Sequence, residues 1–259
     1  MDEEFVEIRN CSVRYLTAGN GQPVLVLHGW SHSADDWQKV QELLALKGFR
    51  MVVPDFPGRG KTSTLKEPWG IGEYCAFVED FAEKLGLRGF FLVGHSFGGR
   101  IAVRFARVNP SLLKGLVLVA PAGIRPEPDT KTALFIMAAH FGNALLSLPL
   151  LSFLKAGAKR LALFFIRKRD YAKANPVMRE VMKKTLAEDA QEEIKELRGA
   201  VRLIWGEEDK TVPLSVGLKW KEMLPHATLT ILPGIGHSPN KQAPAHLAEV
   251  ISEYMRSCL

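Results

Sequence analysis

The run Gly94-His95-Ser96-Phe97-Gly98-Gly99 constrains the fold of this 259-residue chain more than any other feature. It follows the apolar strand pattern Phe90–Val93 and precedes the helical pattern Gly98–Val108. In a G-x-S-x-G turn between a strand and a helix, the serine adopts a strained backbone conformation, which lifts its hydroxyl clear of the sheet. Gly94 and Gly98 lack the side chains that would collide where the strand and helix approach. A chance match in a loop is the alternative, but the flanking elements favour a nucleophile at the serine.

Short apolar runs alternate with amphipathic helical stretches, which is typical of a mostly parallel sheet with helices on both faces. Two alternating segments, Phe5–Ile8 and Ser12–Thr17, predict antiparallel edge strands. Six further strands are predicted at Val24–Leu27, Met51–Val53, Phe90–Val93, Leu116–Val119, Val201–Trp205 and Thr228–Leu232. Helices are predicted at Ala34–Lys47, Ile71–Leu85, Gly98–Val108, Ser215–Leu224 and about Ala243–Met255. The predicted fold class is therefore α/β with an eight-stranded sheet.

The alternation of strand and helix patterns stops after Pro121, and a long helical region without a predicted strand extends to Val201. The simplest organisation is one α/β core, residues 1–121 and 198–259, with a helical cap inserted at 122–197. Such an insertion leaves the sheet continuous on both sides of the cap.

One stretch of the cap, Thr132–Leu154, has twenty-three residues without a charge, which is long enough to span a bilayer. It also contains His140, Asn143 and Pro149, and it lies between two parts of one core. Two short apolar helices that cover a pocket are therefore favoured. A cap that touches a membrane surface and a spanning helix are the lesser alternatives, so we expect no stable membrane insertion.

A serine nucleophile needs a base, and the base needs an orienting carboxylate. His237 follows the last predicted strand between Gly236 and Ser238, and Asp209 follows the strand Val201–Trp205. Both lie just beyond carboxyl ends of strands, where open α/β sheets hold their sites. We therefore predict Ser96, Asp209 and His237 as catalytic residues; Glu207 and Glu208 are the alternatives to Asp209.

The run His28-Gly29-Trp30 at the end of another strand predicts a site for a developing oxyanion. Such a site needs two preset donors, which the backbone N–H groups of Trp30 and Phe97 would supply. An ordinary glycine turn is the alternative. The Trp30 indole is expected to form a pocket wall. Of the other histidines, we expect His95 to pack beside the serine turn, and His32, His226 and His246 to lie on the surface.

Charge and cysteine usage exclude several function classes. The net charge is +6, but Ala122–Lys184 carries +8 and the remaining chain about −2, without the aromatic interleaving of RNA-binding segments. Nucleic-acid binding is therefore disfavoured. Cys11, Cys75 and Cys258 have no paired spacing, which disfavours a disulfide framework and a zinc site. The acidic start lacks a secretory pattern, so we expect a cytoplasmic protein.

The run Gly60-Lys61-Thr62 after a strand is similar to the end of a phosphate-binding loop. That loop requires glycine at position 55, where this chain has Asp55. Nucleotide binding is disfavoured for this reason.

Taken together, the Gly94–Gly99 turn, the His28-Gly29-Trp30 run, the loop Asp55–Ser63, Trp205–Asp209 and Gly236-His237 resemble the α/β-hydrolase fold superfamily. The resemblance covers nearly the whole chain. It implies a lidded serine hydrolase without a metal or organic cofactor. It does not identify the substrate, because the superfamily includes many chemistries.

The apolar cap favours acyl or aryl substrates, since apolar pockets bind such groups. Trp30, His140 and Phe141 are the candidate substrate-binding residues. We expect a carboxylesterase that acts on a small-molecule ester, as a monomer or homodimer. A C–C bond hydrolase of vinylogous diketo acids and a thioesterase are the alternative enzymes, and a receptor of the same fold is a non-catalytic alternative.

Overall fold

One mixed sheet of eight strands organises the molecule, whose computed structural model describes residues 1–124 and 176–259. The strands are β1 (Asp2–Ile8), β2 (Cys11–Ala18), β3 (Gln22–Leu27), β4 (Phe49–Pro54), β5 (Phe90–His95), β6 (Leu113–Val119), β7 (Val201–Gly206) and β8 (Thr228–Leu232). Their order across the sheet is β1-β2-β4-β3-β5-β6-β7-β8. β2 pairs antiparallel with β1 and β4, and all other neighbours are parallel. The predicted α/β class and mostly parallel eight-stranded sheet are confirmed.

The first two strands form a hairpin in which Ile8 pairs with Cys11. The two linking residues, Arg9 and Asn10, have φ values of 50° and 60°. Left-handed conformations at both central positions fit the twist of a two-residue hairpin turn. The two predicted antiparallel strands are thus confirmed. β1, which begins at Asp2, lies at the edge of the sheet, whereas β2 is paired on both sides and is not an edge strand.

Helices cover both faces of the sheet. They are α1 (Gln38–Leu46), α2 (Ile71–Lys84), α3 (Phe97–Val108), α4 (Pro176–Ala187), α5 (Gln191–Lys195), α6 (Leu214–Met223), α7 (Pro239–Gln242) and α8 (Pro244–Ser257), with single 3-10 turns at Ala34–Trp37 and Pro110–Leu112. Alternate residues of a strand point to opposite faces. In β3, Leu25 and Leu27 accordingly pack into one core cluster with α2, α3 and α6, whereas Val24 and Val26 pack with α1 and α8.

The end of the predicted cap packs on the core. Val181 of α4 and Ile194 of α5 are buried in the same cluster as α2 and α3. The cap boundaries 122–197 stay a prediction, because residues 125–175 lie outside the described part. His140, Phe141 and the uncharged stretch Thr132–Leu154 lie there too. Within the described ranges, no helix has both the length and the apolar character to cross a membrane.

The connectivity brings several loops to one edge of the sheet. The carboxyl ends of β3, β5, β7 and β8 face the same way because these strands are parallel. Each of the four strands is followed by predicted site residues: Trp30 follows β3, Ser96 and Phe97 follow β5, Asp209 follows β7 and His237 follows β8.

Candidate active site

Ser96 lies in the sharp turn between β5 and α3, with φ 51° and ψ −113°. This left-handed conformation is strained for a residue with a Cβ, and the surrounding hydrogen bonds hold it there. The Ser96 N–H donates to the Val119 carbonyl at 3.0 Å, and the Ser96 carbonyl accepts from the N–H groups of Arg100 and Ala122 at 3.1 and 2.9 Å. The turn is therefore fixed to both α3 and the end of β6.

Glycines are required on both sides of the turn. A Cβ at Gly98 would overlap the carbonyl oxygen of Leu27 in β3, and one at Gly94 would lie 2.7 Å from the Cα of Gly99. Such distances are closer than carbon atoms can pack. The prediction that side chains at Gly94 and Gly98 would collide is therefore confirmed.

The structure brings Ser96, His237 and Asp209 into one hydrogen-bonded chain. The Ser96 hydroxyl lies 3.0 Å from His237 Nε2, and His237 Nδ1 lies 2.7 Å from Asp209 Oδ2. The carboxylate can only accept, so the proton of the neutral imidazole is at Nδ1 and Nε2 is free to accept the serine proton. This arrangement matches a nucleophile, a base and an orienting carboxylate.

The Asp209 carboxylate is held in place from its other oxygen. Its Oδ1 accepts the backbone N–H groups of Thr211 and Val212 at 2.8 and 2.9 Å, and the side chain is buried. The alternative carboxylates lie elsewhere: Glu207 accepts the Gly234 N–H at 3.0 Å, and Glu208 is exposed. Of the three carboxylates, the structure places Asp209 against His237.

The loop after β3 is fixed by the buried ring of His28. Its Nδ1 lies 2.8 Å from the Gly29 carbonyl, and its Nε2 accepts the Phe56 N–H at 3.0 Å. A carbonyl only accepts and an amide N–H only donates, so the ring is neutral with its proton on Nδ1. Burial is the main cause that lowers the pKa of His28 to about 4.

This anchoring also orients the Trp30 N–H. The Gly29 carbonyl accepts from His28 and from the His32 N–H, and in a trans peptide the next N–H points the opposite way. In the described part of the chain, the backbone N–H groups of Trp30 and Phe97 have no hydrogen-bond acceptor, so both are available to a substrate oxygen. A Cβ at Gly29 would lie 3.5 Å from the Ser96 Cβ, so this loop runs directly beside the serine.

An aromatic cluster extends from the serine. Trp30 packs edge-on against Phe97 at 5.1 Å between ring centroids, and Phe97 also contacts Phe56 and Tyr74. The guanidinium of Arg59 lies over the Trp30 ring, 4.3 Å from its centroid. The Trp30 indole therefore lies between an aromatic ring and a cation, and its role as a pocket wall stays a prediction.

Two histidines contact the loop that carries the base, and the sequence did not predict these contacts. His95 Nε2 lies 2.8 Å from the His237 carbonyl oxygen, and His32 Nε2 lies 3.3 Å from the Ser238 hydroxyl. His32, expected on the surface, is half-buried against the His95 ring, whereas His226 and His246 are exposed. The sequence places His95 beside Ser96, but no pattern links it to a loop 142 residues away.

The loop that resembles a phosphate-binding loop carries its own anion. The Asp55 carboxylate accepts the N–H groups of Lys61 and Ala34 at 2.9 and 2.7 Å and pairs with Arg14 at 3.1 Å. These contacts use donors that a phosphate would need. Within residues 1–124 and 176–259, no three His, Cys, Asp or Glu side chains cluster as metal ligands would.

Comparison with known proteins gives consistent results. A model of the alpha/beta hydrolase fold family matches residues 22–244. The monoacylglycerol lipase abhd6-A of Xenopus laevis is 25% identical over 267 residues, covering 92% of this chain and 77% of that protein. The 2-hydroxy-6-oxo-6-phenylhexa-2,4-dienoate hydrolase of Burkholderia cepacia is 26% identical over 255 residues, covering 89% and 86%.

Among solved structures, that of a membrane phospholipase A is similar to this chain with a TM-score of 0.78 at 21% identity. The match covers 99% of this chain and 86% of that one. At this identity the likeness is one of fold, and it carries no information on the substrate.

Proposed function

The chain belongs to the α/β-hydrolase fold family, and we propose that it is a serine hydrolase that cleaves carboxylic esters with apolar acyl or aryl groups. The observation that carries the proposal is the chain of hydrogen bonds from Ser96 through His237 to Asp209, at 3.0 and 2.7 Å. A strained serine with an aligned base and a buried carboxylate is the arrangement that nucleophilic acyl transfer requires.

In the first step, His237 Nε2 takes the Ser96 proton while Oγ attacks the carbonyl carbon of the ester. The negative charge that develops on the carbonyl oxygen is held by the N–H groups of Trp30 and Phe97, each worth about 3–4 kcal/mol in the transition state. Phe97 opens α3, so the positive end of the helix dipole adds to this stabilisation. Protonated His237 then gives its proton to the leaving alcohol.

In the second step, His237 activates a water molecule, which attacks the acyl-serine and releases the acid. The proton taken from this water returns to the Ser96 oxygen as the acyl bond breaks. Asp209 keeps the Nδ1 proton in place throughout and offsets the charge of the imidazolium. No proton needs to move to Asp209 in either step.

The substrate class is inferred from the aromatic cluster beside Ser96. Trp30 and Trp69 are partly exposed members of this cluster, joined through Phe97 and Tyr74. Ring faces and edges form an apolar surface that suits acyl chains and aryl groups. The similarity to a monoacylglycerol lipase also favours an ester with an apolar acyl group.

A C–C bond hydrolase that cleaves vinylogous diketo acids is the second candidate. The Burkholderia relative is such an enzyme by its name, and it covers most of this chain. Its substrate carries a carboxylate, for which Arg59, 4.3 Å over the Trp30 ring, is a suitably placed cation. A thioesterase with an anionic carrier group would use the same cation.

The test is the hydrolysis of p-nitrophenyl esters of increasing acyl length. We expect repeated turnover that falls by at least about 10³-fold in Ser96→Ala. Ser257→Ala, at the exposed end of α8, is the matched control and should keep full activity. Full turnover in Ser96→Ala would contradict the proposal.

A comparison of the wild type with Arg59→Met on both kinds of substrate distinguishes ester hydrolysis from C–C bond cleavage. Faster turnover of a vinylogous diketo acid than of every ester, with a selective loss in Arg59→Met, would favour C–C bond cleavage. Faster turnover of an ester than of the diketo acid, in the wild type and in Arg59→Met alike, would favour the esterase.

A further inference from the structure

The side chain of His95 joins the serine turn to the loop of the base. Its Nε2 lies 2.8 Å from the carbonyl oxygen of His237, so it is the protonated nitrogen that donates. The ring is 1% exposed, and its centroid is 5.1 Å from that of His237. The residue next to the nucleophile therefore binds the main chain of the base.

This anchor is attached to a strand in the middle of the sheet. His95 is the last residue of β5, a central strand that is paired on one side with β3 and on the other with β6. The base, in contrast, lies in the loop Pro233–Ser238, where Gly234 has φ 67°. The hydrogen bond from β5 to this loop fixes the His237 main chain relative to the sheet, and the imidazole of His237 with it.

Other contacts fix the His95 ring in one orientation. On one side, a Cβ at Gly29 would lie 2.8 Å from its Nδ1, so only glycine permits this approach of the loop after β3. On another side, the His32 ring lies 5.0 Å away, and His32 in turn contacts Ser238 at 3.3 Å. Two neighbouring imidazoles thus hold two successive residues of the base loop.

Burial keeps the His95 ring neutral, since it lowers the pKa well below the ordinary value. A neutral ring has one N–H, and the His237 carbonyl is its acceptor. Within the described part of the chain, Nδ1 has no hydrogen-bond partner. In the described part of the chain, the bond to the His237 carbonyl is therefore the one hydrogen bond that this buried side chain makes.

We propose that His95 is a positioning residue, whose hydrogen bond to the His237 carbonyl sets the distance between the imidazole of the base and the Ser96 hydroxyl. The inference rests on the proposed serine hydrolase function. It assigns His95 no proton transfer and no contact with the substrate.

The test compares His95→Met, which removes the donor and keeps a similar volume, with His95→Gln, which keeps a donor at a similar reach. Each is measured for kcat and KM on the best p-nitrophenyl ester and for the rate of labelling by a fluorophosphonate. Thermal melting checks that each variant is folded. His226→Gln, at an exposed histidine, is the control.

We expect His95→Met to lower kcat by about 10- to 100-fold with KM nearly unchanged, because small displacements of a catalytic group have effects of this size. His95→Gln should recover most of kcat and of the labelling rate. If His95→Met does not fold, His95→Asn replaces it, since its amide is too short to reach the carbonyl.

Two results would overturn the inference: a wild-type kcat in the folded variant without a donor, or an equal loss in that variant and in His95→Gln. The second result would mean that the imidazole only fills space. The proposed hydrolase function itself is tested by ester turnover and labelling of the wild-type protein alone. A wild type that neither turns over esters nor is labelled would overturn both.

Discussion

His237 Nε2 lies 3.0 Å from Ser96 Oγ, although 141 residues separate the two in the chain. The contact forms because β5 and β8 end at the same edge of the sheet, so the turn after one strand meets the loop after the other. The reactivity that we propose for Ser96 depends on this one distance, and three other elements support it. Asp209 orients the ring, the loop of His28 lies beside the serine, and His95 holds the main chain of the base.

Replacing Asp209 with Asn should lower kcat by about 10³- to 10⁴-fold, because an amide that donates to Nδ1 favours the wrong tautomer of His237. The buried position of Asp209 and its two backbone donors should keep the fold intact. Glu208→Gln, one residue away and exposed, is the control and should keep wild-type kcat. Equal losses in the two variants would argue against the role of Asp209.

Gly98→Ala should strongly destabilise the protein, because the added Cβ overlaps the Leu27 carbonyl oxygen where α3 meets β3. Gly72→Ala in α2 is the matched control. Its nearest neighbour would be an Arg104 nitrogen at 3.8 Å, an ordinary contact, and alanine favours a helix over glycine by about 0.5–1 kcal/mol. Thermal melting should show a large fall for Gly98→Ala and a small rise for Gly72→Ala. A Gly98→Ala protein as stable as the wild type would contradict the close approach.

Glu193 of α5 joins the end of the predicted cap to the helix that follows the serine. It binds Arg100 and Arg104 of α3, and the Arg100 side chain is 2% exposed. Burial by itself would raise the pKa of Glu193, but hydrogen bonds from the two arginines lower it to about 2.

We therefore expect Glu193→Gln to lower the free energy of unfolding at neutral pH by about 3–5 kcal/mol, since it leaves a buried arginine charge unpaired. The contribution of Glu193 is fully present above its unfolded pKa of about 4.5 and is lost as the pH falls through its folded pKa, so the difference should shrink in acid. Denaturant titration of Glu192→Gln is the control, because Glu192 pairs only with the exposed Lys195 in the described structure. Similar changes in both variants would refute a special role for the buried pair.

Stability should also fall as the pH decreases from 6.5 towards 4. The pKa of His28 is lowered from its ordinary 6.5 to about 4, chiefly by burial, and the hydrogen bond to the Gly29 carbonyl and the nearby Asp55 oppose the shift only in part. In this window the unfolded chain binds a proton that the folded chain does not, so the stability that His28 contributes above pH 6.5 is lost on acidification. His28→Asn should melt at a lower temperature at neutral pH but lose less on acidification. The exposed His226→Gln should follow the wild type, and an unchanged pH slope in His28→Asn would contradict this account.

Much of this arrangement is predictable from local patterns. The glycines around Ser96 predict the turn, the alternation of apolar runs predicts the sheet, and the strand ends locate His237 and Asp209 on one edge. Contacts between distant side chains follow no such pattern. The sequence predicts a surface position for His32, yet it packs against His95, because the loop after β3 crosses the turn after β5. Likewise, only the fold brings Asp55 to the backbone of Ala34 and Lys61.

The most direct test of a nucleophilic Ser96 is the mass mapping of the protein after reaction with a fluorophosphonate. We predict a single adduct on the peptide that contains Ser96, formed at a rate that falls sharply in His237→Gln and absent in Ser96→Ala. An adduct on another serine, or no adduct on the folded wild-type protein, would contradict the assignment of Ser96 as the nucleophile.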